Sequence, residues 1–304
     1  MPPPRDFIVT DSRDELRRHV REARRQGKSV GCVPTMGALH AGHISLATAA
    51  RERCEFNVLT IFVNPTQFAP TEDLSRYPRP IDADLKACRE AGVDLVYMPA
   101  VPDLYPADFS TWVTVEGISA AFEGASRPTH FRGVTTIVMK LFQLVQPDVA
   151  IFGAKDYQQQ LLIRRMVQDL DVPVEIVTMP TVREPDGLAM SSRNVYLSAE
   201  DRRSALALSR GLTRCAERIQ AGDQRDVANV LRVEQQVREE LQQAGGVQLD
   251  YLAIVDAETL SPPSAATTRL VALVAAKVGS TRLIDNRVID WDVGDNSTKS
   301  AHTP

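Results

Sequence analysis

The chain has 304 residues, of which 43% are hydrophobic and 24% charged, a balance typical of a globular protein with one or two domain cores. Its formal net charge of -4 excludes a general attraction to nucleic acid or anionic membranes, so neither is an expected partner and any anion site must be local. No apolar run reaches the roughly 18 residues that span a bilayer. The first six residues lack the basic-then-apolar order of a signal peptide, and we predict a cytoplasmic protein.

The cysteines argue against a disulfide framework. Cys32, Cys54, Cys88 and Cys215 are the four in the chain, and none forms a Cys-x-x-Cys pair. Each lies in an apolar or helical pattern. The pattern favours reduced structural thiols over disulfides or zinc ligands.

Apolar runs alternate with helical patterns through the first two-thirds of the chain. Strands are predicted at residues 29–34, 55–63, 93–98, 148–152 and 174–179. Helices are predicted at residues 13–26, 44–54, 81–91, 134–145 and 156–170, with a Pro-rich loop at 64–80. The strands are continuously apolar, which is typical of a parallel sheet buried on both faces. We therefore predict an open α/β fold of Rossmann-like type, with ligands at the carboxyl ends of its strands.

The character of the sequence changes near residue 184. Helices are predicted at 199–220 and 225–244, followed by strands of alternating polarity at 248–255, 268–277 and 281–289. We predict a first domain at 1–184, which would bind the ligands, and a smaller α+β domain at 185–290. Residues 291–304 are polar and predicted to form a disordered tail.

The segment 34–43 contains two of the five histidines, His40 and His43, beside Gly37 and Gly42. It lies between a predicted strand and a predicted helix. Glycines let backbone approach a ligand, and free N–H groups at a helix start favour phosphate. Two imidazoles there can donate hydrogen bonds to phosphate oxygens. A metal site is a weaker alternative because no third ligand has suitable spacing, and a helix start with incidental histidines remains open.

A second segment, 153–159, also follows a strand and opens a helix. Lys155 can place a point charge against a phosphate, although a surface lysine is the alternative. Asp156 can either cap the helix or contact a ligand.

Three further segments carry polar side chains that suit ligand recognition. Ser191, Ser192 and Arg193 can grip a polyphosphate, or they can form a serine-rich linker. Asn64 and Gln67 suit hydroxyl and carboxylate recognition, or they can form an Asn-Pro turn. The segment 127–133, with His130, leads into an apolar helix and can be a simple loop.

Together the segments 34–43, 64–68, 127–133, 153–159 and 180–194 resemble, in order, the pantothenate synthetases, also called pantoate–β-alanine ligases. The resemblance implies a fold of the HxGH nucleotidyltransferase type whose second domain acts as a lid. It also implies a two-step reaction. Pantoate attacks the α-phosphate of ATP to give pantoyl adenylate and pyrophosphate, and β-alanine then displaces AMP to give pantothenate, a step towards coenzyme A.

The resemblance also assigns residues. It implies catalytic roles for His43, His40, Lys155 and Arg193, with His43 first of all a hydrogen-bond donor to phosphate. The implied ATP-binding residues are Met36, Gly37, Ala38, Leu39, His40, Ala41, Gly42, His43, Gly153, Ala154, Lys155, Asp156, Val182, Met190, Ser191, Ser192 and Arg193. The implied residues for pantoate and β-alanine are Gln67, Gln159, Met36, Asn64 and Arg127.

Other implications concern cofactors and assembly. Mg²⁺ is expected on the ATP phosphates. Asp82 and Asp84 are candidate ligands for it, although helix N-terminal charge is the preferred interpretation. The family suggests a homodimer. One departure is Ala154, where the family usually has Glu, which puts the strength of nucleotide binding in question.

Two alternatives stay open at this point. A nucleotidyltransferase would release pyrophosphate with a phosphorylated cosubstrate and form no AMP, and the neutral Asn64 and Gln67 argue mildly against it. A non-catalytic nucleotide-binding regulator would tolerate His43→Ala with little loss of function.

Overall fold

The computed structural model describes residues 7–69, 74–222 and 226–291. The chain forms two compact units. The first contains the chain up to Arg183 together with Met190–Ser192. The second contains Glu184–Ala189 and the chain from Arg193 onward. The division therefore falls within the segment 184–193.

The first unit alternates strands and helices. Its strands are β1 (Ile8–Thr10), β2 (Val30–Thr35), β3 (Phe56–Ile61), β4 (Leu95–Tyr97), β5 (Val149–Gly153) and β6 (Glu175–Met179). Its helices are α1 (Arg13–Arg25), α2 (Ala41–Arg53), α3 (Ile81–Glu90), α4 (Val101–Leu104), α5 (Glu123–Ser126), α6 (His130–Val145) and α7 (Tyr157–Asp169). A 3-10 turn, η1, covers Pro65–Gln67.

The six strands form one parallel sheet in the order β1-β4-β3-β2-β5-β6. From β2 the chain proceeds outward through β3 and β4, and then returns to place β5 on the other side of β2. The order therefore reverses between β2 and β5. In open α/β sheets, ligands bind at such a reversal point, outside the carboxyl ends of the strands.

Apolar side chains cover both faces of this sheet. One cluster joins the sheet to α1, α6 and α7 through residues such as Leu16, Val138 and Leu162. The other joins it to α2 and α3 through Leu46 and Cys88. Every residue of β3 is buried, as expected for a central parallel strand.

The second unit contains two long helices and an antiparallel sheet. The helices are α8 (Ala199–Ala221) and α9 (Val227–Gln242), and the strands are β7 (Val247–Asp256), β8 (Arg269–Val278) and β9 (Thr281–Asp290) in that spatial order. The sheet buries one face against the helices around Leu212, Val237 and Leu252. Each strand pair is antiparallel, so neighbouring strands need only short connections.

The predicted fold class is confirmed, with corrections at element ends. The short strand β1 was not predicted, and α6 begins at His130, four residues before the predicted start at Val134. The tail prediction is wrong for Trp291, which is buried in the second unit and whose N–H bonds to the Thr268 carbonyl. The rest of that predicted tail, 292–304, lies outside the described residues, as do the first six residues.

Two further predictions, on membrane-spanning segments and on the cysteines, can be compared with the described residues. None of the helices described in 7–69, 74–222 and 226–291 is long and apolar enough to cross a membrane. All four cysteines are buried free thiols. Burial raises the pKa of Cys32 to about 12, so this thiol stays protonated at neutral pH.

Candidate active site

The loops that follow β2 and β5 meet at the point where the strand order reverses. The first runs from Thr35 to the start of α2, and the second runs from Gly153 to the start of α7. The charges of Lys155 and Asp156, in the second loop, both act on the pKa of His43, in the first turn of α2. Two segments that are far apart in the sequence are therefore neighbours here.

The two histidines cap the same helix reciprocally. His40 is the N-cap of α2, and its Nδ1 accepts the Gly42 N–H at 3.1 Å. His43 reaches back, and its Nδ1 accepts the His40 N–H at 3.3 Å. This is a capping box built from imidazoles, which gives a structural reason for their spacing of three. The rings lie together, with centroids 4.1 Å apart.

The cap fixes which ring nitrogen carries the proton. Because each Nδ1 accepts a backbone N–H, each neutral ring of His40 and His43 must carry its hydrogen on Nε2. Burial, with a contribution from His40, lowers the pKa of His43 to about 3. His43 is thus a neutral donor at physiological pH. A positioned N–H of this kind can stabilise developing charge on a phosphate oxygen.

Gly42 leaves room for this arrangement. A Cβ at residue 42 would lie 2.8 Å from Cε1 and 2.9 Å from Nδ1 of His40. Both distances are shorter than non-bonded atoms tolerate. The glycine of the His-x-Gly-His pattern is therefore needed for the imidazole cap, in addition to any role in ligand binding.

The turn before α2 is held by a buried carboxylate. The Ala38 and Leu39 N–H groups donate to Oδ2 and Oδ1 of Asp84, each at 2.8 Å. Asp84 lies in the first turn of α3 and is only 2% exposed. These two amides are consumed inside the protein. The cap of α2 uses Nδ1 of His43 and leaves its Nε2–H as a donor outside the cap.

The loop after β5 holds the predicted phosphate lysine. The Ala154 N–H donates to the Met179 carbonyl at 2.8 Å, which fixes the start of the loop. Lys155 Nζ lies 4.0 Å from Asp156 Oδ1, and the lysine side chain is 20% exposed. Asp156 precedes α7 without a side-chain capping hydrogen bond, so the predicted capping role is wrong.

A second group of polar residues lies after β3. Asn64 is 1% exposed, and its amide donates to Gln67 Oε1 and to the Gly133 carbonyl, both at 3.1 Å. The Asn64 oxygen accepts from the Thr66 hydroxyl at 3.0 Å. Gln67 Nε2 in turn donates to the Met36 sulfur at 2.8 Å. Both N–H groups of the Asn64 amide are therefore used within the protein, and one of them holds the Gln67 side chain.

The segment 127–133 supports the same turn through its backbone. The Gln67 carbonyl accepts from His130 Nδ1 at 2.8 Å and from Arg127 Nη2 at 3.2 Å. Arg127 Nη1 also lies 3.2 Å from His130 Nε2. The neutral ring of His130 therefore carries its hydrogen on Nδ1, opposite to His40 and His43.

Gly133 sets how closely α6 packs on the η1 turn. A Cβ at residue 133 would lie 2.6 Å from the Thr66 carbonyl oxygen and 2.8 Å from the Gln67 nitrogen. Only glycine allows this approach. The position of Gln67 thus depends on residues from three separate segments.

The segment 182–194 is divided between the two units. In the first unit, the Met190 N–H donates to the Val182 carbonyl at 3.0 Å, and Tyr77 Oη lies 3.5 Å from Ser192 Oγ. Ser191 is half-buried. Arg193 belongs to the second unit. The three residues predicted to grip phosphate are therefore assigned to different units.

In the second unit, an ion-pair network holds the residue that follows Arg193. Asn194 Nδ2 donates to Glu184 Oε1 at 2.7 Å, and the other oxygen of Glu184 lies 2.5 Å from Arg202 Nη2. Arg202 also pairs with Asp186 at 2.8 Å. Arg202 lies in the first turns of α8, so this network ties Asn194 to that helix.

Gln159 lies in the first turn of α7 and is half-buried. Within the described part of the chain its side chain makes no hydrogen bond. Its neighbour Gln158 differs, because that side chain donates to the Ile118 carbonyl at 2.7 Å and is 4% exposed. Gln159 is therefore the glutamine of this pair that is available to a ligand.

Sequence reasoning missed one supporting role. Asp84 was considered only as a metal ligand or a helix charge, but it binds the Ala38 amide, 46 residues away, which no local pattern encodes. His130 has a structural role, since it bonds to the Gln67 carbonyl. The one available signal was a carboxylate at a helix start beside a ligand-binding segment.

At the level of class, a parallel sheet with a pair of histidines at its reversal point is typical of α/β proteins of the nucleotidyltransferase type. A family model described as pantoate-beta-alanine ligase matches residues 8–288. The chain belongs to that family.

Individual relatives agree with this assignment. Pantothenate synthetase of Moorella thermoacetica is 53% identical over 275 residues, which cover 90% of this chain and 96% of the relative. Pantothenate synthetase 1 of Bradyrhizobium diazoefficiens is 51% identical over 278 residues, or 91% and 96% of the two chains. The predicted family and enzyme class are confirmed.

Solved structures give the same result. Pantothenate synthetase from Thermus thermophilus superposes with a TM-score of 0.86 at 48% identity, covering 92% of this chain and 99% of that one. A pantoate-beta-alanine ligase from Francisella tularensis, complexed with beta-gamma ATP and beta-alanine, has a TM-score of 0.75 at 32% identity. That match covers 93% of this chain and 97% of the Francisella chain.

Proposed function

We propose that this chain condenses pantoate with β-alanine at the expense of ATP, forming pantothenate, AMP and pyrophosphate through a pantoyl adenylate. Family membership supports the overall reaction. The observation in this chain that carries the chemistry is the cap of α2, in which His43 Nδ1 accepts the His40 N–H and His43 Nε2–H is left as a donor.

The first step needs no protein nucleophile. The pantoate carboxylate attacks the α-phosphorus of ATP, and pyrophosphate leaves with the bonding electrons. Negative charge accumulates on the phosphate oxygens, where fixed donors stabilise the transition state. We assign this role to His40, His43 and Lys155, and we add Ser191, Ser192 and Arg193 on the strength of their segment's family resemblance.

In the second step the β-alanine amine attacks the acyl carbon of the adenylate, and AMP leaves. We assign the acid substrate to Gln67, Met36 and Gln159, because these residues lie in segments that follow the carboxyl ends of parallel strands of one sheet. For Asn64 we propose a positioning role instead of the predicted contact, since its amide is buried and bonded to Gln67. Arg127 holds the Gln67 carbonyl and remains a proposed contact for substrate carboxylate.

The nucleotide is assigned to the remaining segments predicted for it. Gly153, Ala154, Asp156, Val182 and Met190 would hold adenosine and ribose. A Cβ at Gly153 would meet no atom within 4 Å, so open space lies above this backbone. Ala41 and Gly42 would lie beneath the phosphates at the start of α2.

Mg²⁺ would enter with the ATP phosphates. Within the described residues no group of three or more His, Cys, Asp or Glu side chains has metal-binding geometry. Asp84 uses both oxygens on backbone amides. The donor set thus fits a cation held mainly through phosphate oxygens and water, as Mg²⁺ commonly is.

Assembly, location and domain roles belong to the same proposal. The family supports a homodimer in the cytoplasm, and we assign the lid role to the unit that contains Arg193. None of these assignments is needed for the chemistry above.

A product assay tests the function. The purified protein is incubated with ATP, Mg²⁺ and each combination of pantoate and β-alanine, and the products are identified by mass spectrometry. We expect pyrophosphate and adenylate only with pantoate, and pantothenate with AMP only when β-alanine is added. Formation of ADP, or of no product, would overturn the proposal. Pyrophosphate with a phosphorylated cosubstrate and without AMP would favour a nucleotidyltransferase.

A further inference from the structure

The buried carboxylate of Asp84 holds the turn that precedes α2. Its two oxygens accept the N–H groups of the successive residues Ala38 and Leu39, each at 2.8 Å. We propose that Asp84 is a positioning residue of the ligase, which fixes this turn so that the acid and phosphate subsites keep their relative placement. The proposal rests on the function proposed above.

The turn has a backbone conformation that needs support. Gly37 and Ala38 have φ values of 79° and 51°, both in the left-handed region. Glycine adopts this region freely, but alanine does so at a cost, and such residues persist where surrounding contacts fix them. Two hydrogen bonds from adjacent amides to one carboxylate are such a contact. The charge of the carboxylate also strengthens both bonds.

The space around the turn is filled by the same groups. A Cβ at residue 37 would lie 2.9 Å from Ile61 Cγ2 and 3.0 Å from Asp84 Oδ2. Gly37 therefore lets the carboxylate approach the backbone closely. Ala38, next to it, packs with Phe68 and Tyr77 in a small apolar cluster.

The turn lies between the two halves of the proposed site. Met36, just before it, accepts a hydrogen bond from Gln67 Nε2 on the acid side. His40, just after it, caps α2 on the phosphate side. A shift of the turn would displace both at once and would therefore weaken the binding of both substrates.

Asp84 itself does not reach a ligand. It is 2% exposed, and both oxygens are engaged with the turn. Its effect on the reaction must therefore pass through residues 36–40. This distinguishes it from His43, whose Nε2–H would touch the substrate.

The test compares Asp84→Asn with Asp94→Asn. Asp94 is also buried, at 6% exposure, and its Oδ2 accepts the Asn57 N–H at 2.8 Å. It precedes β4, at the amino end of the sheet, opposite the edge where the turn lies. In Asp84→Asn one oxygen can still accept an amide, while the new NH₂ group opposes the other N–H. Both variants disturb a buried carboxylate, but only one adjoins the turn.

Initial rates are measured for both variants, well below their unfolding temperatures. We expect Asp84→Asn to raise KM for both ATP and pantoate about tenfold or more, with a smaller change in kcat. Asp94→Asn should keep both KM values within about twofold of the wild type, even where its Tm falls equally. Unchanged KM values in Asp84→Asn, or equal rises in both variants, would overturn the proposal.

A second measurement needs neither activity nor a variant. The Ala38 and Leu39 amides of the wild-type protein should exchange slowly with deuterium in the absence of substrates, because Asp84 binds both. Rapid exchange of these two amides would refute the anchoring role even if Asp84→Asn failed to fold. A wild-type protein that showed slow exchange but made no pantothenate would instead refute the proposed function alone.

Discussion

The Nδ1 atom of His43 accepts the backbone N–H of His40 at 3.3 Å, so the second imidazole of the pair helps to cap the helix it stands on. Its two nitrogens thus have separate tasks. Nδ1 serves folding, and Nε2–H is left for a ligand. This separation makes the two tasks testable one at a time.

Replacing His43 by Asn or Gln separates capping from phosphate binding. An Asn oxygen can take the place of Nδ1, while a Gln amide can take the place of Nε2–H. We expect His43→Asn to keep Tm near that of the wild type and to lose about 10²-fold in kcat, as for one transition-state donor. His43→Gln should keep more activity, because its amide can still donate to phosphate, and should also stay near the wild-type Tm, because Gln at this position can complete a capping box. Thermal unfolding and pyrophosphate-release rates measure both, and full activity in His43→Asn would contradict the donor role.

The pKa of His43 predicts how stability depends on pH. Burial lowers it from 6.5 to about 3 in the folded protein. Between these values the unfolded chain binds a proton at this residue and the folded chain does not, so stability falls as pH decreases from about 6.5 towards 3. Urea unfolding at pH 7 and pH 5 should show a smaller loss for His43→Asn than for the wild type. Equal losses would mean that His43 titrates normally.

Gly133→Ala tests the packing of α6 on the Gln67 turn. The new Cβ would lie 2.6 Å from the Thr66 carbonyl oxygen. We expect a loss of about 1–3 kcal/mol, as for overpacking, and a higher KM for pantoate. Gly245→Ala is the matched control, since its Cβ would meet nothing within 4 Å and its φ is not left-handed. Urea unfolding measures the free energy of unfolding of both variants. Equal values would show that the Gln67 turn can shift to accommodate the new Cβ without loss of stability.

A double-mutant cycle tests whether Asn64 acts through Gln67. Asn64→Asp replaces the donor to Gln67 Oε1 with an acceptor, so the two oxygens repel. We expect this variant to raise KM for pantoate about tenfold in the wild-type background and to change it little in Gln67→Ala. Additive effects of the two substitutions would instead indicate that Asn64 contacts the substrate directly.

Local patterns were sufficient for most of the fold. The continuous apolar run around Val58 predicted a buried parallel strand, and the predicted helix at 81–91 matches α3 to within one residue. Strand β1 was not predicted, because it has only three residues and one of them, Val9, is 45% exposed. The start of α6 was placed too late because Gly133, required for close packing, reads locally as a helix breaker.

The site was predicted as a set of segments but not as a geometry. The spacing of the two histidines pointed to a phosphate site. The same spacing also forms the helix cap, and the sequence alone does not distinguish these two explanations. The inward turn of the Ala38 amide depends on Asp84, 46 residues away. Such pairings arise from the order of strands in the sheet, which only the folded chain defines.

The full engagement of Asn64 has a consequence for the history of such a gene. A duplicated copy that lost its substrate but was still selected to fold would retain Asn64 and Gly133, because both hold the interior together. Gln159, which makes no hydrogen bond within the described residues, would be free to drift. Degenerate copies should therefore diverge at Gln159 long before they do so at Asn64.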